Sequence, residues 1–308
     1  MNVLPRAEGR SLELALELVE AAARADGVRP LSEEAELRLR HGGPDGGRDV
    51  LFGHEGRAAA YARLDRDGDG GWQAEFVVHP QLRRRGLGRA MAEKVEELAG
   101  DGPLAVWAHG ELPGSAELGT ARGWTRARTL LQMRMPLAGP GPHADPELPA
   151  DVVVRPFRPG VDEEAWLAVN AAAFAHHPEQ GGMTRRDLEL REAEEWFDPA
   201  GFLLAWRLAD DGTETLLGSH WTKVHPAGEV ADEPVGEVYV LGVAPAAQGL
   251  RLGRALTDLG LAHLRSRGLA EVLLYVEEDN TAAVALYERS GFSRYAVDVQ
   301  WHRPARRS

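Results

Sequence analysis

Residues Gly236 to Ala255 read GEVYVLGVAPAAQGLRLGRA, and this stretch decides the fold. It predicts a strand, a short loop and the first turn of a helix. In the strand, Glu237, Tyr239, Leu241 and Val243 fall on one face, because side chains alternate with period two. Beyond it, Leu252, Leu256, Leu259 and Ala262 recur at a helical spacing. Between the two lies Gln248-x-x-Arg251-x-Gly253. That spacing gathers the unpaired N–H groups of a helix N-terminus in one loop, where they and the helix dipole suit phosphate oxygens. Glycine at 253 lets the backbone come close to such a ligand.

The device occurs twice. EFVVHPQLRRRGLGRAM (Glu75–Met91) aligns without gaps on VLGVAPAAQGLRLGRAL (Val240–Leu256), which sets Val78 on Val243, Pro80 on Pro245, Gly88 on Gly253 and Arg89 on Arg254. Gly123-Trp124 and Gly291-Phe292 close the two halves. This is a repeat of whole domains rather than of short solenoid units. Between the halves, PLAGPGPHADPELP (Pro136–Pro149) is rich in proline and glycine and has no apolar period, so it reads as a linker.

Arg83-x-x-Gly86-x-Gly88 fits the Gln/Arg-x-x-Gly-x-Gly/Ala acyl-CoA signature of the GCN5-related N-acetyltransferases (GNAT), a superfamily the chain resembles over nearly its full length. Two such domains in tandem, with HPEQ at His177–Gln180, EVYVLGV at Glu237–Val243 and LLYVEEDN at Leu273–Asn280, are similar to one branch of it. That branch acetylates the cysteinyl amine of a cysteinyl-glucosaminyl-inositol pseudodisaccharide. The resemblance implies an α/β fold (α+β, mixed sheet) made of two tandem GNAT domains. Each would have a mostly antiparallel sheet splayed open after its fourth strand. Residues 1–137 would bind acyl-CoA without turnover, 138–150 would link, and 151–308 would be catalytic.

The same resemblance assigns roles. Acetyl-CoA is the co-substrate, transferred directly without an acyl-enzyme and without a metal. Leu241, Gly242 and Val243 would hold its pantetheine arm. Gln248, Gly249, Leu250, Arg251, Leu252, Gly253 and Arg254 would hold its phosphates, with Asn280 beyond them. In the first half the counterparts are Phe76, Val77, Val78, Arg84, Arg85, Gly86, Leu87, Gly88 and Arg89. Glu33, Glu179, Lys223, Glu237 and Tyr275 would meet the sugar or its amine. Several have a plainer reading: Glu33 and Glu34 complement a helix dipole behind the Ser32 N-cap, Lys223 is a surface lysine, and Asn280 and Tyr287 are a cap and a core residue.

Transfer of an acetyl group from a thioester to an amine needs a proton acceptor, a polarised carbonyl and a donor to the leaving thiolate. Glu237 and Tyr287 are the candidates for acceptor and donor. At the same offset the first half has Trp72 for Glu237. Counting back from the closing glycine, it has Gly119 for Tyr287 and Leu112 for Asn280. Catalysis is therefore expected in the second half. One departure stands out: Arg251 occupies the place of the signature's first glycine, where a Cβ restricts positive φ.

Composition narrows the alternatives. The 308 residues suggest two domains, and the net charge of −13 argues against a nucleic-acid surface. There is no cysteine, hence no disulfide, thiol nucleophile or cysteine metal site. No apolar run reaches the ~20 residues that span a bilayer. A cytoplasmic monomer is the default expectation, with no membrane partner. His176-His177 lacks a third ligand at useful spacing, and Asp65–Gly71 lacks the glutamate of a calcium loop, since that place is Phe76. A dinucleotide site would need G-x-G-x-x-G after a strand, which neither half has. Two rivals remain open: an acetyltransferase for another small amine or a protein N-terminus, and a non-catalytic acyl-CoA sensor.

The remaining pattern predicts helices over Ser11–Arg24, from Ser32, over Asp162–Ala175 and over Thr184–Phe197. Strands are expected near Val50–Phe52, Ala58–Leu64, Leu130–Met135, Val152–Phe157, Phe202–Leu208, Leu216–Val224 and Ala270–Val276. Pro103–Leu118 gives no clear signal, and the tail from His302 reads as a basic, frayed end.

Overall fold

The computed structural model describes residues 2–42, 46–67, 70–137, 147–175 and 178–305, with the side chains of 178 and 179 outside that description. Most of the 138–150 linker and the His176-His177 pair therefore lie outside the described residues. Along the chain, β1 (Asn2–Leu4) leads to α1 (Arg10–Asp26), α2 (Glu33–His41), β2 (Arg48–His54), β3 (Arg57–Arg66) and β4 (Trp72–Val78). Then come α3 (Leu87–Ala99), β5 (Leu104–Ala108), α4 (Ser115–Ala121) and β6 (Thr125–Pro136). The second pass runs β7 (Val152–Pro156), α5 (Glu163–Ala173), α6 (Pro178–Gly181), α7 (Arg185–Glu192), β8 (Phe202–Leu208), β9 (Glu214–His225) and β10 (Val235–Val243). It closes with α8 (Leu252–Ser266), β11 (Glu271–Glu277), α9 (Thr281–Arg289) and β12 (Ser293–Arg303).

The chain forms two compact units that do not follow chain order throughout. One comprises Met1–Gln132, Val276–Thr281 and Tyr295–Ser308; the other comprises Met133–Tyr275 and Ala282–Arg294. In the first unit the strands run β1-β2-β3-β4-β5-β12, antiparallel except for the β4–β5 pair. The tail expected to fray is the reason for the exchange. His302 and Arg303 pair with Ala105 and Leu104, and Arg303 donates to the carbonyls of Gly100 and Gly102 at 2.6 Å each. Leu104–Ala108, unassigned from sequence, is a strand because it lies between β4 and β12.

Each face of the first sheet carries its own core. Met91, Ala92, Val95 and Ala99 of α3 pack on Trp72, Ala74, Leu64 and Leu104. Ala15, Leu18, Val19 and Ala22 of α1, with Ala35 and Leu39 of α2, pack on Leu51, Tyr61 and Val77. Ser32 caps α2, accepting a hydrogen bond from the Ala35 N–H.

In the second unit the order is β7-β8-β9-β10-β11, again with one parallel pair, β10–β11. On one face Trp166 of α5 and Leu188 of α7 meet Phe202, Leu204 and Trp221. On the other, Leu252 and Leu256 of α8 meet Ala205, Leu217 and Val243. Helix α7 starts on a Thr184/Asp187 capping box but ends at Glu192, five residues short of the periodic pattern. Packing overrides period there: Trp196 and Phe197 turn inward, their rings 5.8 Å from that of Trp221.

The parallel ladder in the second unit covers Gly236–Val238 against Val272–Leu274. Among the described residues it ends there, so β10 is open on that side from Val240 onward. The first unit has the same opening, its ladder covering Trp72–Glu75 against Leu104–Trp107. Among the described residues no helix is long and apolar enough to cross a membrane.

Candidate active site

Strand β10 does not alternate as its sequence suggests. Val238 pairs with Thr222 but Val240 pairs with Trp221, so Tyr239 is the extra residue of a β-bulge. Tyr239 and Val240 consequently share the α5 face, while Leu241 and Val243 pack against α8. Of the four residues expected together, only Glu237 and Tyr239 lie on the α5 side. The bulge takes Glu237 away from the α8 core.

Glu237 is buried, and so is Lys223, its partner across the ladder. Leu273 flanks Glu237 on β11, and Tyr275, two residues on and 41 % exposed, shares that face. Lys223, Glu237 and Tyr275 are thus brought onto one side of one sheet. Lys223 Nζ stands 4.6 Å from the ring centre of Trp196 and 5.6 Å from that of Tyr239, a cation–π setting in a dry site. Arg191 Nε donates to the Tyr239 hydroxyl at 2.7 Å.

Glu237 has a further partner that the sequence did not announce. Its Oε2 lies 2.6 Å from His225 Nε2, and His225 Nδ1 lies 3.0 Å from Glu229 Oε1. Burial pulls the imidazole down, but the hydrogen bonds to Glu229 and Glu237 and the charge of Glu237 outweigh it, so His225 sits above its ordinary value. The available signal was small: Lys223 and His225 alternate on one strand, so both side chains face Glu237.

Tyr287 is 7 % exposed and edge-on to Phe292, ring centres 5.7 Å apart. Burial pushes its phenol up to about 12, so it keeps its proton at neutral pH. The hydroxyl has no hydrogen bond to another described residue. Asn280 immediately precedes α9, and its N–H donates to the Glu277 carbonyl at 3.1 Å. Glu33 opens α2 in the first unit.

The two signature loops share one backbone conformation. Gly249 and Arg251 have φ of 85° and 60°; Arg84 and Gly86, their counterparts, have 62° and 85°. Each loop thus needs two left-handed residues and fills one with arginine, in opposite order. Arg251 is strained but adopts the turn that glycine would, at a cost of roughly 1–2 kcal/mol. Arg83, the first residue of the signature, donates two parallel hydrogen bonds to the Asp26 carboxylate at 2.6 Å each and one from Nε to the Val78 carbonyl at 3.1 Å. At Gly253 an added Cβ would meet only Val243 Cγ2, at 3.9 Å. Packing therefore does not demand glycine there, whereas a ligand against the N-terminus of α8 would.

The bulge also corrects the comparison between halves. Strand β4 pairs with β3 without a slip, from Ala60↔Val78 to Arg66↔Trp72. Trp72 therefore points with Ala74 into the α3 core, and the residue facing as Glu237 does is Gln73. An amide at that place has no basic lone pair for an ammonium proton. At Gly119 a Cβ would lie 2.7 Å from Trp301, so an indole fills the place that Tyr287 occupies in the other unit. The acceptor face of the first unit is occupied by ion pairs: Arg38–Asp65 at 3.2 Å and Arg63–Asp65 at 2.6 Å.

The sequence profile of the acetyltransferase (GNAT) family matches residues 15–113 and 166–292. The chain belongs to that family, with two tandem GNAT domains on a mixed α/β fold. Among its relatives is the mycothiol acetyltransferase of Geodermatophilus obscurus, 66 % identical over 94 % of this chain and 92 % of that one. The mycothiol acetyltransferase of Thermobispora bispora is 55 % identical over 94 % and 95 %. Among solved structures, a GCN5-related N-acetyltransferase from Sphaerobacter thermophilus superposes with a TM-score of 0.67 at 26 % identity, covering 99 % and 96 % of the two chains. A tandem GNAT protein from the clavulanic acid biosynthesis pathway shares the fold, with a TM-score of 0.75 at 23 % identity and 100 % and 99 % coverage.

Proposed function

We propose that the protein transfers the acetyl group of acetyl-CoA to the cysteinyl amine of cysteinyl-glucosaminyl-inositol, completing mycothiol in the cytoplasm. The observation that carries this reading is Glu237. It is a buried carboxylate in a row with Lys223, in a chain 66 % identical to a mycothiol acetyltransferase. When bound, acetyl-CoA supplies the acetyl group as a thioester. The N-terminus of α8 and the loop from Gln248 to Arg254 receive its phosphates. Backbone groups of Leu241–Val243, on the open side of β10, hold the pantetheine arm and polarise the carbonyl.

Glu237 accepts a proton from the attacking nitrogen as the N–C bond forms, and Tyr287 Oη gives a proton to the departing thiolate. Lys223, Tyr275 and Glu179 bind the hydroxyl-rich acceptor. The second unit is the catalytic one. The first binds acyl-CoA through Phe76–Val78 and Arg84–Arg89 and has neither proton-transfer group, since Gln73 and Trp301 stand in those places.

The test is turnover of the cysteinyl sugar beside polyamines and peptide N-termini at equal concentration. Preference for the sugar by at least about tenfold in kcat/KM, or about 1.4 kcal/mol, is expected. Faster acetylation of a simple amine would put the acceptor elsewhere. Binding of acetyl-CoA without turnover of any amine would make the protein a sensor.

A further inference from the structure

Carboxylate bases in buried sites need their aim fixed by neighbours. His225 is placed to do this for Glu237. Both ring nitrogens face carboxylate oxygens, Glu237 Oε2 at 2.6 Å and Glu229 Oε1 at 3.0 Å. Only the imidazolium form can donate at both ends. The side chains of His225 and Glu237 are each 7 % exposed and that of Glu229 is 29 % exposed, so the chain of contacts runs from the buried base to the edge of solvent. The charged groups acting on His225 are Glu237 of β10, Glu229 of the loop after β9, and Lys223 of β9, which opposes its protonation.

We propose that His225, held by Glu229, is a positioning residue that aims Glu237 and selects which of its oxygens reacts. The Nε2–H occupies Oε2, leaving Oε1 for the amine. In the transfer an N–H bond of the substrate breaks and an O–H bond forms at Oε1. That proton then leaves to water in the cleft, and His225 keeps both of its own protons throughout. This rests on the reading of Glu237 as the base.

The experiment measures kcat against pH with saturating acetyl-CoA and whichever amine is acetylated fastest, for the wild type, His225→Gln, Glu229→Gln, Glu237→Gln and the double variant His225→Gln/Glu237→Gln. Loss of the cation that faces Oε2 at 2.6 Å should move the acid limb of the profile upward in pH in His225→Gln. At pH 7 kcat should fall about tenfold while the KM for acetyl-CoA holds. Glu229→Gln, on a partly exposed side chain that leaves folding intact, should shift the limb the same way by less. The double variant should be no slower than Glu237→Gln alone, because His225 acts through Glu237. An unmoved limb in both His225→Gln and Glu229→Gln, or multiplicative losses in the double variant, overturns the proposal while the base reading stands. A near-normal rate for Glu237→Gln removes both.

Discussion

At Gly253 fold and ligand make different demands on one residue. An added methyl would meet nothing nearer than 3.9 Å, and alanine in place of glycine inside a helix gains up to about 1 kcal/mol. Gly253→Ala is therefore expected to hold or raise the melting temperature while raising the KM for acetyl-CoA at least about tenfold, since the methyl stands where phosphate oxygens would approach. Paired thermal melts and initial rates check this; an unchanged KM would mean the cofactor does not lie against α8. Arg251 stands where the signature has its first glycine. Its φ of 60°, matched by 62° at Arg84, makes it a strained but faithful copy of the turn. A local motif could not reveal this, because the glycine and arginine trade places between the two loops.

At the scale of one element, the bulge at Tyr239 sets which way Glu237 faces. Without it Glu237 would face the α8 core as Trp72 faces α3, because a one-residue slip turns each side chain to the opposite face. Deleting Tyr239 should abolish acetylation and lower the melting temperature, as the carboxylate enters an apolar layer. A folded deletion variant with near-normal rates, by circular dichroism and thiol release, would contradict this. Strict alternation was legible in the sequence, but the bulge was not, since it follows from pairing with β9. Trp196, His225 and Glu229 give little local signal for the same reason, as their places beside Lys223 and Glu237 arise from strand register and packing. By contrast, the two loops and the Ser32 cap were readable from local chemistry.

Buried histidines give each unit its own response to pH. Burial pulls His220 down to about 4, against the bond from its ring to the Leu256 carbonyl. Its folded value lies below the unfolded one, so stability should drop as pH falls from about 6.5 to 4, by on the order of 3 kcal/mol. His109 is the reverse case. Burial pulls it down, but Asp298 and Glu75, at 3.0 and 3.2 Å, overcome that and raise it to about 10. Its contribution is complete below about 6.5 and fades as pH rises towards 10. Hydrogen exchange resolved by segment should show the second unit loosening first in acid and the first unit in alkali; His220→Asn and His109→Gln should flatten the respective slopes. The reverse order would refute both assignments.

On the scale of the whole molecule, the proposed function is a division of labour between two repeated units. The two units keep the same loop conformation, the same open strand edge and the same helix behind it, but Glu237 in one is matched by Gln73 in the other. Tandem architecture and family were readable from the chain. The exchange of β12 into the first unit was not, because nothing in a short basic tail signals which sheet it will complete. The most direct measurement of the central claim is single-turnover acetyl transfer by Glu237→Gln and by Gly88→Leu, each checked for folding. Glu237→Gln should lose on the order of 10²–10⁴ in rate, as expected for removal of a general base, whereas Gly88→Leu should lose acyl-CoA binding in the first unit and far less of the rate. A near-normal rate for Glu237→Gln beside a folded but inactive Gly88→Leu would place the chemistry in the other unit.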